Sequence, residues 1–569
     1  MNKIFRSSGL GSVAVLAGGG ASALLLALTA GPGSATTTLT VDTLTDGVAT
    51  ASDCLTPVTD SCSLRDAIAA AADGDVIVFE AGLAGTMTLT NDELAITVGL
   101  TITGTGSDQI TIDADGNSRV FYLVSSAGDV TITGLTVTGG NGATGGGIDA
   151  YNAGSLDLVD VDVTGNSAFY AAGVYVYGQG SFSMTDSTVS NNTSNVSCGG
   201  LYFGSQITNV IITDSAITGN TAGYSGGGIK ANNLGDVTLI DSEVTGNISL
   251  GYGGGGYLAQ SGNLLVDGSV FADNDSRYGG GGIYGSNGGS VNITDSTFSR
   301  NAASGTHAYG GALYLSMQDQ QITISNSTFD SNSAMKGGAL DFTNTGQVVA
   351  INNSTIVGNS ATSATGGGVD KNRGGSLTIN QSTITENDAP TGGGIFLVGD
   401  GGGNVAATLL LSGSIVSVNT STNLDGADIS LTWTDGDSVS SDHSLLGDIG
   451  DGIVMTDLGG TITSSTPGLS PLADNGGVTM TMALLANSVA LDAGADPVAN
   501  FGGNGYDQRG TPWLRVYNGQ SDIGAFELQP DPTPPTTTTT STSTSTSTTV
   551  TPSTTTEATD ETVIPAFTG

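Results

Sequence analysis

An asparagine returns along this chain at intervals of 25 to 32 residues, most of them 27 or 28. It stands at Asn141, Asn166, Asn192, Asn220, Asn247, Asn274, Asn301, Asn332, Asn359, Asn387 and Asn419. A fixed period of this length means one supersecondary unit stacked many times. Each unit carries two phrases. One ends at the asparagine, as in Asp-Ser-Ala-Ile-Thr-Gly-Asn at 214–220 and Asn-Ser-Thr-Ile-Val-Gly-Asn at 353–359. The other is a glycine pair or triplet before an apolar residue, as in Gly226-Gly227-Gly228-Ile229 and Gly310-Gly311-Ala312-Leu313. Runs such as Ser290-Val291-Asn292-Ile293-Thr294 alternate between them at period two, the pattern of strands with one buried face. A helical solenoid fits poorly, because each glycine costs about 0.8–1.0 kcal/mol in a helix relative to alanine and the chain has 90 of them. The expected fold is all-β: a parallel β-helix of about 27-residue rungs, right-handed as parallel crossovers are.

Stacking rungs puts like residues on like. Asn166, Asn192, Asn220, Asn247, Asn274, Asn301, Asn332, Asn359 and Asn387 are expected to form a structural ladder of bonded amides, as in cross-β stacks. Such a column reads as a turn device before it reads as a ligand site. The apolar residues three positions earlier (Ile217, Val244, Phe271, Phe298, Phe329, Ile356, Ile384 and Val416) are expected to face inward, each contributing about 1.5–3 kcal/mol on burial. The glycines belong where the backbone turns sharply or approaches the next rung.

The net charge of −40, with 12 Lys plus Arg, argues against nucleic acid and anionic membranes as partners. Residues 1–35 read as a secretory signal peptide: Lys3 and Arg6, an apolar run from Val13 to Ala30, and small residues before Ala35. A retained anchor is the alternative, and no transmembrane segment is expected in the mature chain. Residues 36–115 read as an N-terminal cap with the first rungs, 116–425 as the β-helix repeats, 426–529 as a distinct C-terminal region, and 530–569 as a disordered Thr/Ser/Pro-rich tail. Cys54 and Cys62 are a candidate local disulfide in an exported protein, and Cys198, in the small-residue slot of Gly226, a buried free thiol. A monomer is expected.

An open β-helix exposes strand edges and an apolar bore, so its ends need covers. Ser63 with Asp66 makes a capping-box pattern, and Leu64, Ala67, Ile68 and Ala71 share one helical face; a short helix plugging the N-terminal end follows. Cys62-Ser63-Leu64-Arg65-Asp66-Ala67-Ile68 resembles the signature of the bacterial exported CSLREA-domain proteins, with Asp66 where that family carries Glu. Leu472–Thr479, Ala483–Leu485, Leu491–Gly494, Asp507-Gln508-Arg509-Gly510 and Asp522–Glu527 resemble the choice-of-anchor Q domain of bacterial surface proteins. The Gly-Gly-Ala-Leu phrases at 310–313 and 337–340, and Phe271–Asn274, Phe298–Asn301 and Phe329–Asn332, resemble repeats of the polymorphic outer-membrane adhesins, whose C-terminal membrane barrel is not found here. These resemblances imply an exported, surface-displayed β-helix and assign no catalytic residue.

Enzymes on polysaccharides also use parallel β-helices, and a glycosidase needs carboxylates converging on a cleft. The candidates are Asp113 with Asp115, Asp157 with Asp160 and Asp162, and Asp425 with Asp428. Asp160 shares its repeat position with Asp186, Asp214, Asp241, Asn326 and Gln381, which points to a turn. Lys371 and Arg373 are the best basic spot and read as a solvated turn. His307 and His443 have no metal-ligand spacing. No organic cofactor is expected; calcium is the ion that acidic turns such as Asp113–Gly116 and Asp448–Gly452 would take, without an EF-hand pattern. Tyr175, Tyr177, Tyr202, Tyr257, Tyr284 and Tyr314 read as core or ladder residues, with glycan contact as the functional alternative. The expected function is non-catalytic: an adhesin-like or structural surface protein meeting surface glycans or components of host or neighbouring cells. The alternative is a polysaccharide lyase or glycoside hydrolase on a pectate-lyase-like β-helix.

Overall fold

Alternating Val, Ile, Leu and Thr segments, separated by glycine and Asp-Ser corners, wind into a right-handed parallel β-helix. The computed structural model describes residues 36–530, apart from 56–60, 126, 179, 233, 260, 401–404, 424–425, 433–435, 497 and 499–504. The expected leader at 1–35, nearly all of the tail and Asp425 lie outside the described residues. The strands form three sheets, of 29, 13 and 11 strands. The broadest has two strands per coil, split at the Asp-Ser corner. A typical coil comprises Ile229–Asn232, Asp236–Ile240, Glu243–Thr245 and Ile248–Ser249, and all four segments pair in parallel register with those of the next coil. Parallel pairing begins at Thr38–Val41 and continues to Ile462–Thr463, so the coils extend past residue 425 and into the stretch read as a separate C-terminal region.

Period-two alternation fills the bore. Ile217, Val244, Phe271, Phe298, Phe329, Ile356, Ile384 and Val416 are each at most 1% exposed. Phe271, Phe298 and Phe329 stack ring on ring at 4.8 and 5.0 Å. At the N-terminal end the helix Leu64–Ala70 carries a complete capping box between Ser63 and Asp66 and buries Leu64, Ala67 and Ile68 against the first coils. A disulfide joins Cys54 to Cys62. Cys198 is a buried free thiol at φ 64°, the left-handed geometry that Gly226 takes at φ 71° one coil later.

The asparagines are fully interior and fully bonded. Asn247 Oδ1 accepts from both the backbone N–H and the side-chain amide of Asn220, each at 3.0 Å. Its own Nδ2 donates to Ile217 carbonyl at 2.8 Å and to Asn274 Oδ1 at 3.0 Å. One side chain thus ties three coils together. The pattern runs from Asn166 through Asn387 to Asn419. Asn141 is not in it: it is exposed and pairs with Ser167, and the ladder position on its coil is Gly140, whose N–H donates to Asn166 Oδ1. A side chain there would collide with the Gly146 carbonyl, since a Cβ on Gly140 would sit 1.8 Å from it. A second ladder runs five residues before the asparagines, unread in the sequence although a serine holds that place from Ser187 to Ser414. The N–H groups of Ser215, Ser242 and Ser269 donate to the hydroxyl of the next serine at 3.1–3.2 Å, and each hydroxyl donates to the carbonyl two residues earlier.

The described residues between 467 and 528 fold back along the outside of the broad sheet. Gln508 reaches Thr328 Oγ1 at 2.8 Å and accepts from Thr355 Oγ1 at 2.6 Å. Thr479 donates to the Asn326 carbonyl, and the N–H groups of Gly524 and Ala525 reach the Gly413 carbonyl and Thr383 Oγ1. Ile523 and Phe526 pack on Ile415 and Leu445. Inside this segment Arg509 pairs with Asp507 at 2.6 Å between the rings of Trp513 and Phe526, and Arg515 pairs with Glu527 at 3.2 Å.

Replacing Asn247 with alanine leaves two donors of Asn220 and the Ile217 carbonyl unpaired in the interior. At about 1–3 kcal/mol for each buried group left unmade, denaturation will show a loss of about 3 kcal/mol or more, whereas Tyr224→Ala, at a residue 54% exposed, will change stability by under about 0.5 kcal/mol. Gln508→Ala empties a buried polar junction, so limited proteolysis will cut within 467–528 faster while the coils stay protected.

Candidate functional site

The 13-stranded sheet presents one outward residue per coil in a continuous column: Tyr122, Asp149, Tyr175, Tyr202, Lys230, Tyr257, Tyr284, Tyr314, Asp341, Asp370 and Phe396. Every tyrosine of the chain except Tyr506 and Tyr517 falls between positions 122 and 314. Tyr175 stacks on Tyr202 at 4.9 Å and Tyr257 on Tyr284 at 5.0 Å, with ring planes within 17° of parallel. Tyr177 and Tyr151 add a second stack beside them. The tyrosines singled out in the sequence therefore lie on the outside of the coil and not in the bore. Their ring faces are occupied by neighbours, so edges and phenol hydroxyls border solvent. Between the stacks Lys230 sits 6.0 Å from the Tyr202 ring and 5.2 Å from the Tyr257 ring, anchored on Ser197 and Ser225 hydroxyls at 2.6 and 2.8 Å. Burial lowers its pKa, and burial pushes the nearby Cys198 thiol up to about 12.

The column breaks at Asp341 and Asp370. These carboxylates face each other across adjacent coils, both wholly buried. Lys336 lies 3.6 Å from Asp341 and 3.3 Å from Asp370. Thr343 donates to Asp341, and Thr365 and Asn372 donate to Asp370. Burial pushes the Asp370 carboxyl up to about 8, reinforced by Asp341 and opposed by Lys336, and raises Asp341 as well. Two carboxylates in place of two tyrosines leave an open recess of about 470 Å³, lined by Tyr309, Tyr314, Met335, Lys336, Thr343, Asn372 and Arg373. Tyr314 turns 61° out of parallel with Tyr284 where the stack ends.

The sequence did not single out Asp341 or Asp370, although each stands where a tyrosine does on preceding coils. Lys371 is a correction: it is no solvated turn. It occupies an inward column between Phe342 and Leu397, wholly buried, and its ammonium donates to the carbonyls of Gly374 and Asn372. Burial lowers its pKa to about 8. Parity decides this, since Val369 and Lys371 face one way and Asp370 the other. Arg373 does lie exposed, at φ 64°.

The carboxylates weighed as catalytic do not converge. Asp115 N–H bonds Asp113 within one turn at 2.8 Å. Asp157 accepts from Ser183, and burial raises its pKa and that of Asp162. Asp160, Asp186, Asp214, Asp241, Asp295, Asn326, Asn353 and Gln381 all hold the corner at φ 46–53°, the left-handed geometry that Asx residues tolerate. The acidic stretch of this corner borders an open depression of about 500 Å³. Asp428 closes the asparagine ladder, accepting from Asn419 Nδ2 at 2.7 Å. His443 pairs with Asp442, and His307 lies on another coil. Among the described residues no three His, Cys, Asp or Glu gather as a metal site, and no helix is long and apolar enough to cross a membrane.

Residues 146–408 match the family model of the right-handed β-helix region. No curated protein matches the chain. Among solved structures, pectate lyase Pel9A is similar at 13% identity over 87% of this chain and 97% of its own, with a TM-score of 0.26. A rhamnogalacturonan lyase is similar at 11% identity over 80% and 96%, with a TM-score of 0.24.

Because its folded pKa is raised, Asp370 keeps a proton that the unfolded chain releases. Its contribution to stability is full below about pH 4 and is lost as the pH climbs toward about 8. Melting temperatures over that range will fall less steeply for Asp370→Asn than for the natural chain.

Proposed function

We propose that this chain is an exported bacterial surface or secreted β-helix that binds glycans without cleaving them, as an adhesin-like display protein. The observation that carries this reading is the column of outward tyrosines, Tyr175 and Tyr202 on adjacent coils and Tyr257, Tyr284 and Tyr314 on three more, either side of Lys230. Coils advance by about 4.8 Å, a step close to that of one sugar in an extended chain. Phenol hydroxyls and ring edges at that spacing offer hydrogen bonds and apolar contact to a linear glycan. The in-register stack holds these rings in place before binding, which lowers the ordering cost. Export and surface display are supported by the apolar leader sequence, the Cys54–Cys62 disulfide and the resemblances to CSLREA, choice-of-anchor Q and polymorphic adhesin proteins. No cofactor enters this reading.

One observation favours the enzymatic alternative: Asp341 and Asp370 interrupt the rung pattern beside a recess. Both carboxylates are wholly buried; Thr343 donates to Asp341, Thr365 and Asn372 donate to Asp370, and Lys336 lies 3.6 and 3.3 Å from them. They hold the recess wall and present no oxygen to a glycosidic bond.

On a glycan array the purified chain will bind oligosaccharides, and reducing-end assays on the bound polymers will detect no new ends. Turnover of any polymer would overturn the non-catalytic reading. Tyr257→Ala, opening the stack beside Lys230, will weaken binding by about two- to thirteenfold, as expected for one aromatic contact of about 0.5–1.5 kcal/mol.

A further inference from the structure

We infer that the recess beyond Tyr314 is a subsite for one carboxylated sugar carried by an otherwise neutral glycan. The inference rests on the glycan-binding reading and deepens it. The recess lies in line with the tyrosine column, on the same outward face, where the in-register pairs Tyr314–Asp341 and Asp341–Asp370 replace rings with short side chains. A glycan following the rings runs into it. Its lining changes character there, from phenols to Lys336, Arg373, Thr343 and Asn372.

The wall is built in two layers. The buried layer is Asp341 and Asp370, which fix the Thr343 hydroxyl, the Asn372 amide and the Lys336 ammonium by direct contact. The outer layer is what they fix. Lys336 has three donors and two carboxylate neighbours, and 18% of its side chain remains exposed beside the Tyr309 ring. Arg373 stands at the rim and brings a planar fork suited to a carboxylate. Burial raises the Asp370 and Asp341 carboxyls, which lessens the negative charge behind Lys336, and Arg373 adds a second cation to the lining.

A single acidic sugar fits this setting better than a polyanion. The chain carries a net charge of −40, and Asp160, Asp186, Asp214 and Asp241 line an outer corner of the earlier coils, those of Asp149, Tyr175, Tyr202 and Lys230. An extended polyuronate meets repulsion along the molecule. One carboxylate in a screened recess meets mainly its near neighbours, because charges beyond about 8 Å are largely screened at physiological salt.

Three matched oligosaccharides test this by calorimetry on the full chain: a neutral one, the same one bearing a single hexuronic acid, and a polyuronate. The singly acidic ligand is expected to bind at least tenfold more tightly than the neutral one, and more tightly than the polyuronate. Arg373→Asn, which keeps a residue that tolerates the left-handed backbone, is expected to erase that preference at an unchanged melting temperature. Equal binding of neutral and acidic ligands, or a preference that survives Arg373→Asn, overturns the subsite and leaves the tyrosine-face reading standing. A polyuronate that binds best overturns the restriction to one charge. Failure of all three to bind overturns both.

Discussion

Every coil of this molecule depends on being laid in register on another. A parallel strand has no partner within its own coil, so its N–H and C=O groups are satisfied only by the coil above and the coil below. The asparagine ladder extends that condition to the corners, where strands end and backbone groups would otherwise go unpaired. Each buried amide joins the carbonyl of one neighbour to the amide of another. The serine ladder does the same at the preceding corner. Both columns are polar, wholly interior and completely bonded, which is the condition under which buried polar groups are tolerated. Where the asparagines end, the carboxylate of Asp428 takes the next place.

Register also forces like residues together, and the chain handles this according to what covers them. At the corner before the serines, Asp160, Asp186, Asp214 and Asp241 face solvent, where water and salt screen carboxylates stacked about 4.8 Å apart. Further along the same column the residues become Asn326, Asn353 and Gln381. There the C-terminal segment lies over the sheet, with the Asn353 amide donating to the Tyr506 carbonyl at 3.0 Å and Thr479 to the Asn326 carbonyl. Burying a row of charges would cost several kcal/mol per ion; neutral side chains keep the turn geometry, and the Asn353 amide bonds the covering chain. The change from acid to amide thus marks the footprint of residues 467–528. The phrases that resemble the choice-of-anchor Q domain serve this docking: Gln508 enters the threonine row, while Asp507, Arg509 and Glu527 form the segment's interior.

The tyrosine face follows the same logic with a different outcome. Parallel rings at about 5 Å stabilise one another, and the cation of Lys230 between two rings extends the stack. Substituting Asp341 and Asp370 for rings costs stacking and buries two carboxyls, an expense that Lys336 and three hydrogen bonds from Thr343, Thr365 and Asn372 offset. What results is a shaped, polar recess at the end of an aromatic track.

The repeat period, the strand alternation, the inward column from Ile217 to Val416 and the amide ladder were legible in the chain alone, because they are one-dimensional: period two assigns a side and period 27 assigns a neighbour. The N-terminal helix was legible for the same local reason, through Ser63 and Asp66. Asn141 keeps the spacing without joining the ladder, which was expected from Asn166 onward, because spacing alone cannot tell a ladder position from the residue beside it. Lys371 misled because a charge suggested solvent while parity placed it inside. The Asp341–Asp370 pair, the recess above it and the covering of Asn353 and Gln381 belong to the tertiary structure. They depend on which coils touch, and on a segment some 150 residues later in the chain returning to lie upon them, and no local pattern records either.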